Sequence, residues 1–81
     1  MPKLKVLSGA DIVTILASFG FGIESQKGSH LKLARVTASG AREIITVPSH
    51  KNLRKGTAKA IFNQVSRFVS QEDLRPHFYT E

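Results

Sequence analysis

Three histidines, His30, His50 and His77, are the groups in this 81-residue chain best suited to moving protons near neutral pH. There is no cysteine, which excludes a thiolate nucleophile, a zinc–thiolate site and a disulfide framework. The six carboxylates are scattered and no two histidines stand at helical ligand spacing, so no protein-built metal site is expected. Phosphate-loop and dinucleotide signatures are absent. Ser29 precedes His30 directly, but neighbours on a strand point to opposite faces, which argues against a serine–histidine nucleophile pair. The best acid or base is therefore His30, within Gln26–Leu33, QKGSHLKL. An ordinary imidazole titrates near ~6.5 and so both accepts and donates a proton. The alternative is that a lone histidine entering a strand is only a polar residue tolerated on the wet face of a sheet.

The charge narrows the chemistry. Lys and Arg total 12 against 6 Asp and Glu, for a net charge of +6. Nine of the basic residues fall between Lys27 and Arg67, where only Glu43 opposes them. A concentrated positive charge favours a polyanionic partner, nucleic acid first, over a merely basic soluble surface. With RNA as the partner, His30 has a reaction to serve. Cleavage by the RNA's own 2′-hydroxyl requires that hydroxyl to lose a proton and the leaving oxygen to gain one. Positive charge must also steady the phosphate, and Lys27, Lys32 and the amides of the Gly28–Ser29 turn are suited to that. Proton transfer by one positioned group is typically worth ~10²–10⁴-fold.

A second cluster lies in Leu53–Ala60, LRKGTAKA, where Arg54, Lys55 and Lys59 surround an expected helix start. Free amides there favour phosphate, and the three cations add charge without reading bases. Cations at a helix start oppose its dipole, which asks for a reason beyond solubility. His50, in the basic loop after Pro48, is a possible secondary residue that contacts phosphate or caps the helix. His77, near the tail, is expected at the surface.

These groups need elements to hold them. Ser8 caps a helix over residues 9–19 with Asp11 in its first turn, and Ile12, Ile15, Leu16 and Phe19 form its apolar stripe. Gly20 is its left-handed stop. Three strands follow: 21–25, 30–36 and 42–47, with Lys27–Gly28 signalling the first hairpin turn, a second turn over 37–41, and Pro48 ending the third strand. Leu31, Leu33, Ile45 and Val47 face one side, while His30 and Lys32 face the other. A second long helix starts at Gly56 or Thr57 and buries Ala58, Ile61, Phe62, Val65, Phe68 and Val69. A short third helix spans 71–75, capped by Ser70 and ended by Pro76. The tail either docks through Phe78 and Tyr79 or frays.

The whole is one α+β domain over residues 1–81. It is a two-layer α-β-β-β-α sandwich, with a three-stranded antiparallel sheet and the helices on one face. That order is the order of double-stranded-RNA-binding domains. No apolar run is long enough to span a membrane and the N-terminus lacks a signal-peptide pattern, so a cytoplasmic location is expected.

Three pieces of the chain, in order, resemble the HicA (YcfA-like) family of bacterial toxins. They are LSGADIVTILASFGF, then KGSHLKL with its Gly-Ser-His entry to a strand, then ITVPSHKNLRKGTAKAIFNQV with its Val-Pro-x-His segment and Gly-Thr helix start. The segment after the second helix, SRFVSQEDLRPHF, departs from the family's pattern. The resemblance implies a messenger-RNA interferase of a type II toxin–antitoxin system with a double-stranded-RNA-binding-like fold; it does not imply a metal, and no cofactor is expected. It implies that His30 is the catalytic histidine and that a HicB antitoxin covers the active face. The expectation is thus a metal-independent endoribonuclease, with Lys27, Gly28, Ser29, Lys32, Arg54, Lys55 and Lys59 holding RNA. A non-catalytic RNA-binding module is the runner-up. A protein whose basic face serves only an acidic partner is the third reading.

Overall fold

The computed structural model describes residues 2–80, in the order β1 (Lys3–Leu4), α1 (Gly9–Ser18), β2 (Gly22–Lys27), β3 (His30–Val36), β4 (Arg42–Pro48), α2 (Lys55–Val65), α3 (Gln71–Phe78) and β5 (Tyr79–Thr80). The main sheet is the antiparallel meander β2-β3-β4, with β3 in the centre. β3 and β4 pair without interruption from His30 opposite Pro48 to Val36 opposite Arg42.

Local chemistry explains the first helix. The Ser8 hydroxyl accepts from the Asp11 amide at 3.0 Å, and the Asp11 carboxylate accepts from the Ser8 amide at 2.9 Å. This reciprocal box satisfies amides that the helix cannot. At the other end Gly20 adopts φ +91°, its amide donates to Ala17, and the Phe21 amide donates to Leu16, each at 3.0 Å. That is a Schellman ending, and the buried Phe21 and Leu16 provide its apolar contact.

The core forms where the two stripes predicted. Leu31, Leu33, Ile45 and Val47 from the sheet join Ile12 and Leu16 of α1 and Ala58, Ile61, Phe62 and Val65 of α2 in one buried cluster. The other face of the sheet carries no helix. The α+β sandwich with helices on one face is therefore the observed fold.

Three details differ from the sequence expectations, and a fourth decides between two that were open. β2 runs to Lys27 with a bulge between Ile23 and Ser25, and every residue of it is exposed, Ile23 by 56%. β2 is an edge strand, and the buried sheet positions all lie on β3 and β4. α2 begins earlier, at Lys55, and ends at Val65, so Phe68 and Val69 pack on the core from the turn beyond it. α3 continues through Pro76 to Phe78, because the hydrogen bond that Pro76 cannot make falls on Glu72 in the exposed first turn. Finally, the tail docks: Tyr79–Thr80 pairs antiparallel with Lys3–Leu4 as a second, two-stranded sheet. Two-residue strands carry no periodicity, so pattern reading could not find them.

Candidate functional site

His30 is the first residue of β3 and is exposed, alternating with buried Leu31 and Leu33. The pleat therefore turns it away from the helices. Its ladder partners are Lys27 on β2 and Pro48 on β4. Gly28 and Ser29 make the two-residue turn between Lys27 and His30, one position later than the expected Lys27–Gly28 signal. Gly28 takes φ +59° while Ser29 keeps a negative φ, as a type II′ turn requires.

Pro48 is held close to His30 for a specific reason. The Ser49 amide donates to the Ser29 carbonyl at 2.7 Å, which makes Ser29 and Ser49 the hydrogen-bonded pair. His30 and Pro48 are then a non-hydrogen-bonded pair, in which side chains approach most closely and the missing proline amide costs nothing. The loop that follows is laced to the start of α1. The Gly9 amide donates to His50, and the Leu53 amide donates to Leu7, each at 2.8 Å. Gly9 must be glycine for this, since a Cβ there would lie 2.1 Å from the Pro48 carbonyl oxygen.

Beyond Pro48 the loop and α2 enclose a groove of about 370 Å³ lined by Pro48, His50, Asn52, Leu53, Arg54 and Thr57. Arg54 is the extended N-cap residue of α2, and no side chain accepts from the helix's first amides. No acidic residue stands in that first turn, whereas α1 and α3 both have a serine cap and an acidic residue. Lys55 and Lys59 are exposed on the same helix.

The basic residues divide by what they touch. Arg35 points to the helix side and is structural. It donates to Glu43 at 2.7 Å, to the Phe19 carbonyl at 2.9 Å and to the Phe68 carbonyl at 3.1 Å, and lies 4.8 Å over the Phe21 ring. Lys32 and Arg42 both pair with Glu24 on the uncovered face, Lys32 at 3.6 Å. The hydrogen bond from Arg42, followed by the charges of Arg42 and Lys32, holds the Glu24 carboxyl below its ordinary value. Among the described residues no ion pair engages Lys27, Arg54, Lys55 or Lys59.

The fold thus gathers His30, Lys27, Gly28 and Ser29 at one end of the sheet, with His50 and Arg54 joined to them through Pro48. Lys32 shares the His30 face but is committed to Glu24. Sequence reasoning missed Glu24, whose reach depends on the bulge, and Asn52 and Thr57, which only the groove unites. His77, expected at the surface, is partly buried with its ring edge-on to Phe19 at 5.3 Å between centroids. Among the described residues no three His, Asp or Glu side chains are grouped to hold a metal ion, and no helix is long and apolar enough to cross a membrane.

Comparison with curated proteins finds no match. Comparison with protein-family models does: residues 9–66 match the family described as HicA toxin of bacterial toxin-antitoxin. The matched span runs from the first residue of α1 to the C-cap of α2, so it contains His30, the groove and all three strands of the main sheet. The chain belongs to the HicA toxin family of bacterial toxin–antitoxin systems.

Proposed function

We infer that this toxin is an endoribonuclease that cleaves messenger RNA without a metal, using His30 as general acid and base. One observation carries the reading. In a HicA-family chain, His30 stands exposed at a sheet end between Lys27, which pairs with no acid among the described residues, and a groove-lining proline. The imidazole takes the proton of a 2′-hydroxyl as that oxygen bonds to the adjacent phosphorus. The bond from phosphorus to the 5′-oxygen breaks, and the imidazolium returns a proton to that oxygen. The products end in a 2′,3′-cyclic phosphate and a 5′-hydroxyl. Lys27 and the Gly28–Ser29 amides steady the charge that builds on the phosphate. Arg54, Lys55 and Lys59 hold the RNA backbone, and Lys32 contributes less because Glu24 already offsets it. A HicB-type antitoxin, covering the uncovered sheet face, restrains the enzyme in the cytoplasm.

The test uses wild type and His30→Ala on a long single-stranded RNA with EDTA present. Wild type is expected to cut, and His30→Ala to cut ~10²–10⁴-fold more slowly. The variant should keep its melting temperature, because the side chain is exposed. Equal cleavage by both proteins would refute the role of His30. Salt-sensitive RNA binding with no cleavage by either would favour the non-catalytic module.

A further inference from the structure

The groove beyond Pro48 has more structure than backbone binding needs. Phosphate contacts require only cations and amides, and these are already present on the exposed side of α2. The groove adds a walled volume of about 370 Å³, with Pro48 and Leu53 as apolar walls and His50, Asn52, Arg54 and Thr57 as polar ones. That mixture, an apolar surface with a few converging polar groups, is the character of a small-ligand cleft. Among the described residues, none of those four polar side chains is engaged in a hydrogen bond or ion pair within the protein. They are free to serve something else.

The position of the groove identifies the ligand. Pro48 forms its wall and is also the cross-strand neighbour of His30. An occupant of the groove that touches Pro48 is therefore one cross-strand pair away from the group that would act on the phosphate. An imidazole is a surface on which a base stacks, and an asparagine amide presents a donor and an acceptor side by side, matching a base edge. Arg54 supplies the charge for a phosphate. The loop is also tethered on both sides of Asn52. His50 is fixed through its carbonyl to Gly9, and Leu53 through its amide to Leu7, so Asn52 is carried between two anchored residues. Such anchoring is what a reading residue requires.

We propose that this groove is a single-nucleotide subsite beside the scissile bond, in which one base lies against Pro48 and His50, Asn52 reads its edge and Arg54 holds its phosphate. The site makes cleavage selective for the base at one position flanking the cut. In its cleavage consequence the proposal rests on the ribonuclease reading; in its binding consequence it does not.

Two measurements test it. In the first, a randomised RNA is digested and the cut sites are mapped for wild type and Asn52→Ala. Wild type should prefer one base by about tenfold at one position next to the cut, as a paired amide–base contact gives. Asn52→Ala should flatten that preference, and a preference unchanged in this variant overturns the proposal. In the second, the wild-type protein is titrated with each 5′-mononucleotide and, separately, with inorganic phosphate, and its NMR signals are followed. A mononucleotide has no bond to be cut. Nucleotides should shift the Asn52 side-chain amide and the His50 ring, while phosphate should shift only the signals of Arg54 and Thr57. Nucleotides that reproduce only the phosphate pattern would show backbone contact without a base site, and would overturn the proposal. An RNA left intact by wild type, with the nucleotide shifts present, would refute the ribonuclease reading and leave the subsite standing.

Discussion

At position 30 the pleat does the positioning. Leu31 and Leu33 are drawn into the core, and the period of two then obliges His30 and Lys32 to face away from the helices. The two residues differ in what meets them there. His30 has Lys27 and Pro48 as ladder partners, whereas Lys32 meets Glu24, which also holds Arg42. Glu24 therefore links all three strands across the uncovered face. Its lowered pKa has a consequence with a definite sign. A carboxyl held below its unfolded value stabilises the fold above that value and loses the contribution as pH falls through the folded one. Glu24→Gln should accordingly melt slightly below wild type at neutral pH. The gap should close as pH falls from the ordinary value of 4.5 downward. Thermal melts of both proteins across that window check it, and added salt should shrink the neutral-pH gap because the groups are exposed.

Among the elements, the joints matter more than the strands and helices they connect. Arg35 is the clearest example. One guanidinium bonds the carbonyl at the C-cap of α1, the carbonyl of Phe68 beyond α2 and the carboxylate of Glu43 on β4. It thereby ties both helix ends to the sheet, with positive charge where the α1 dipole is negative. Arg35→Met removes all three bonds and strands Glu43, whose side chain is only 16% exposed. The expected loss is about 3 kcal/mol, read as a lower urea midpoint at unchanged slope. Arg35→Lys should recover little of it, since an ammonium cannot reproduce the planar fork. The loop between β4 and α2 is a second joint. Its attachment to Gly9 and Leu7 holds the groove, and that attachment depends on α1 opening with a residue that has no side chain.

On the scale of the whole molecule, the segment after Val65 completes the core. The family match ends at residue 66. Yet Val69, Leu74 and Phe78 from this segment belong to the one buried cluster. Phe78 is fully buried and meets Phe62 of α2 edge-on at 5.3 Å, and Tyr79 meets the same ring at 5.4 Å. The β1–β5 ribbon then closes the two ends of the described chain against each other. An 81-residue domain has little core to spare. Phe78→Ala should cost about 3–5 kcal/mol, and so should unfold much of the population at growth temperature. Denaturant unfolding followed by circular dichroism measures this directly. A small loss would mean that α3 is an appendage and not a part of the core.

Periodicity and capping made the central fold readable from the sequence. The Ser8 box, the Gly20 stop, the alternation in β3 and β4 and the stripe of α2 are all local patterns, and a local pattern determines which face of an element is buried. The same alternation placed His30 on the open face, and the Gly-Ser-His motif singled it out. Its neighbours depended on contacts between residues far apart in sequence. Register set Pro48 beside His30, a bulge brought Glu24 to Lys32 and Arg42, and the folded-back tail buried Phe78. Asn52 carries no motif and Thr57 only that of a helix start, and only the packing of a loop against that helix start makes them two walls of one groove. Side-chain direction follows from the backbone repeat along the chain, but adjacency across the chain exists only once the core has closed.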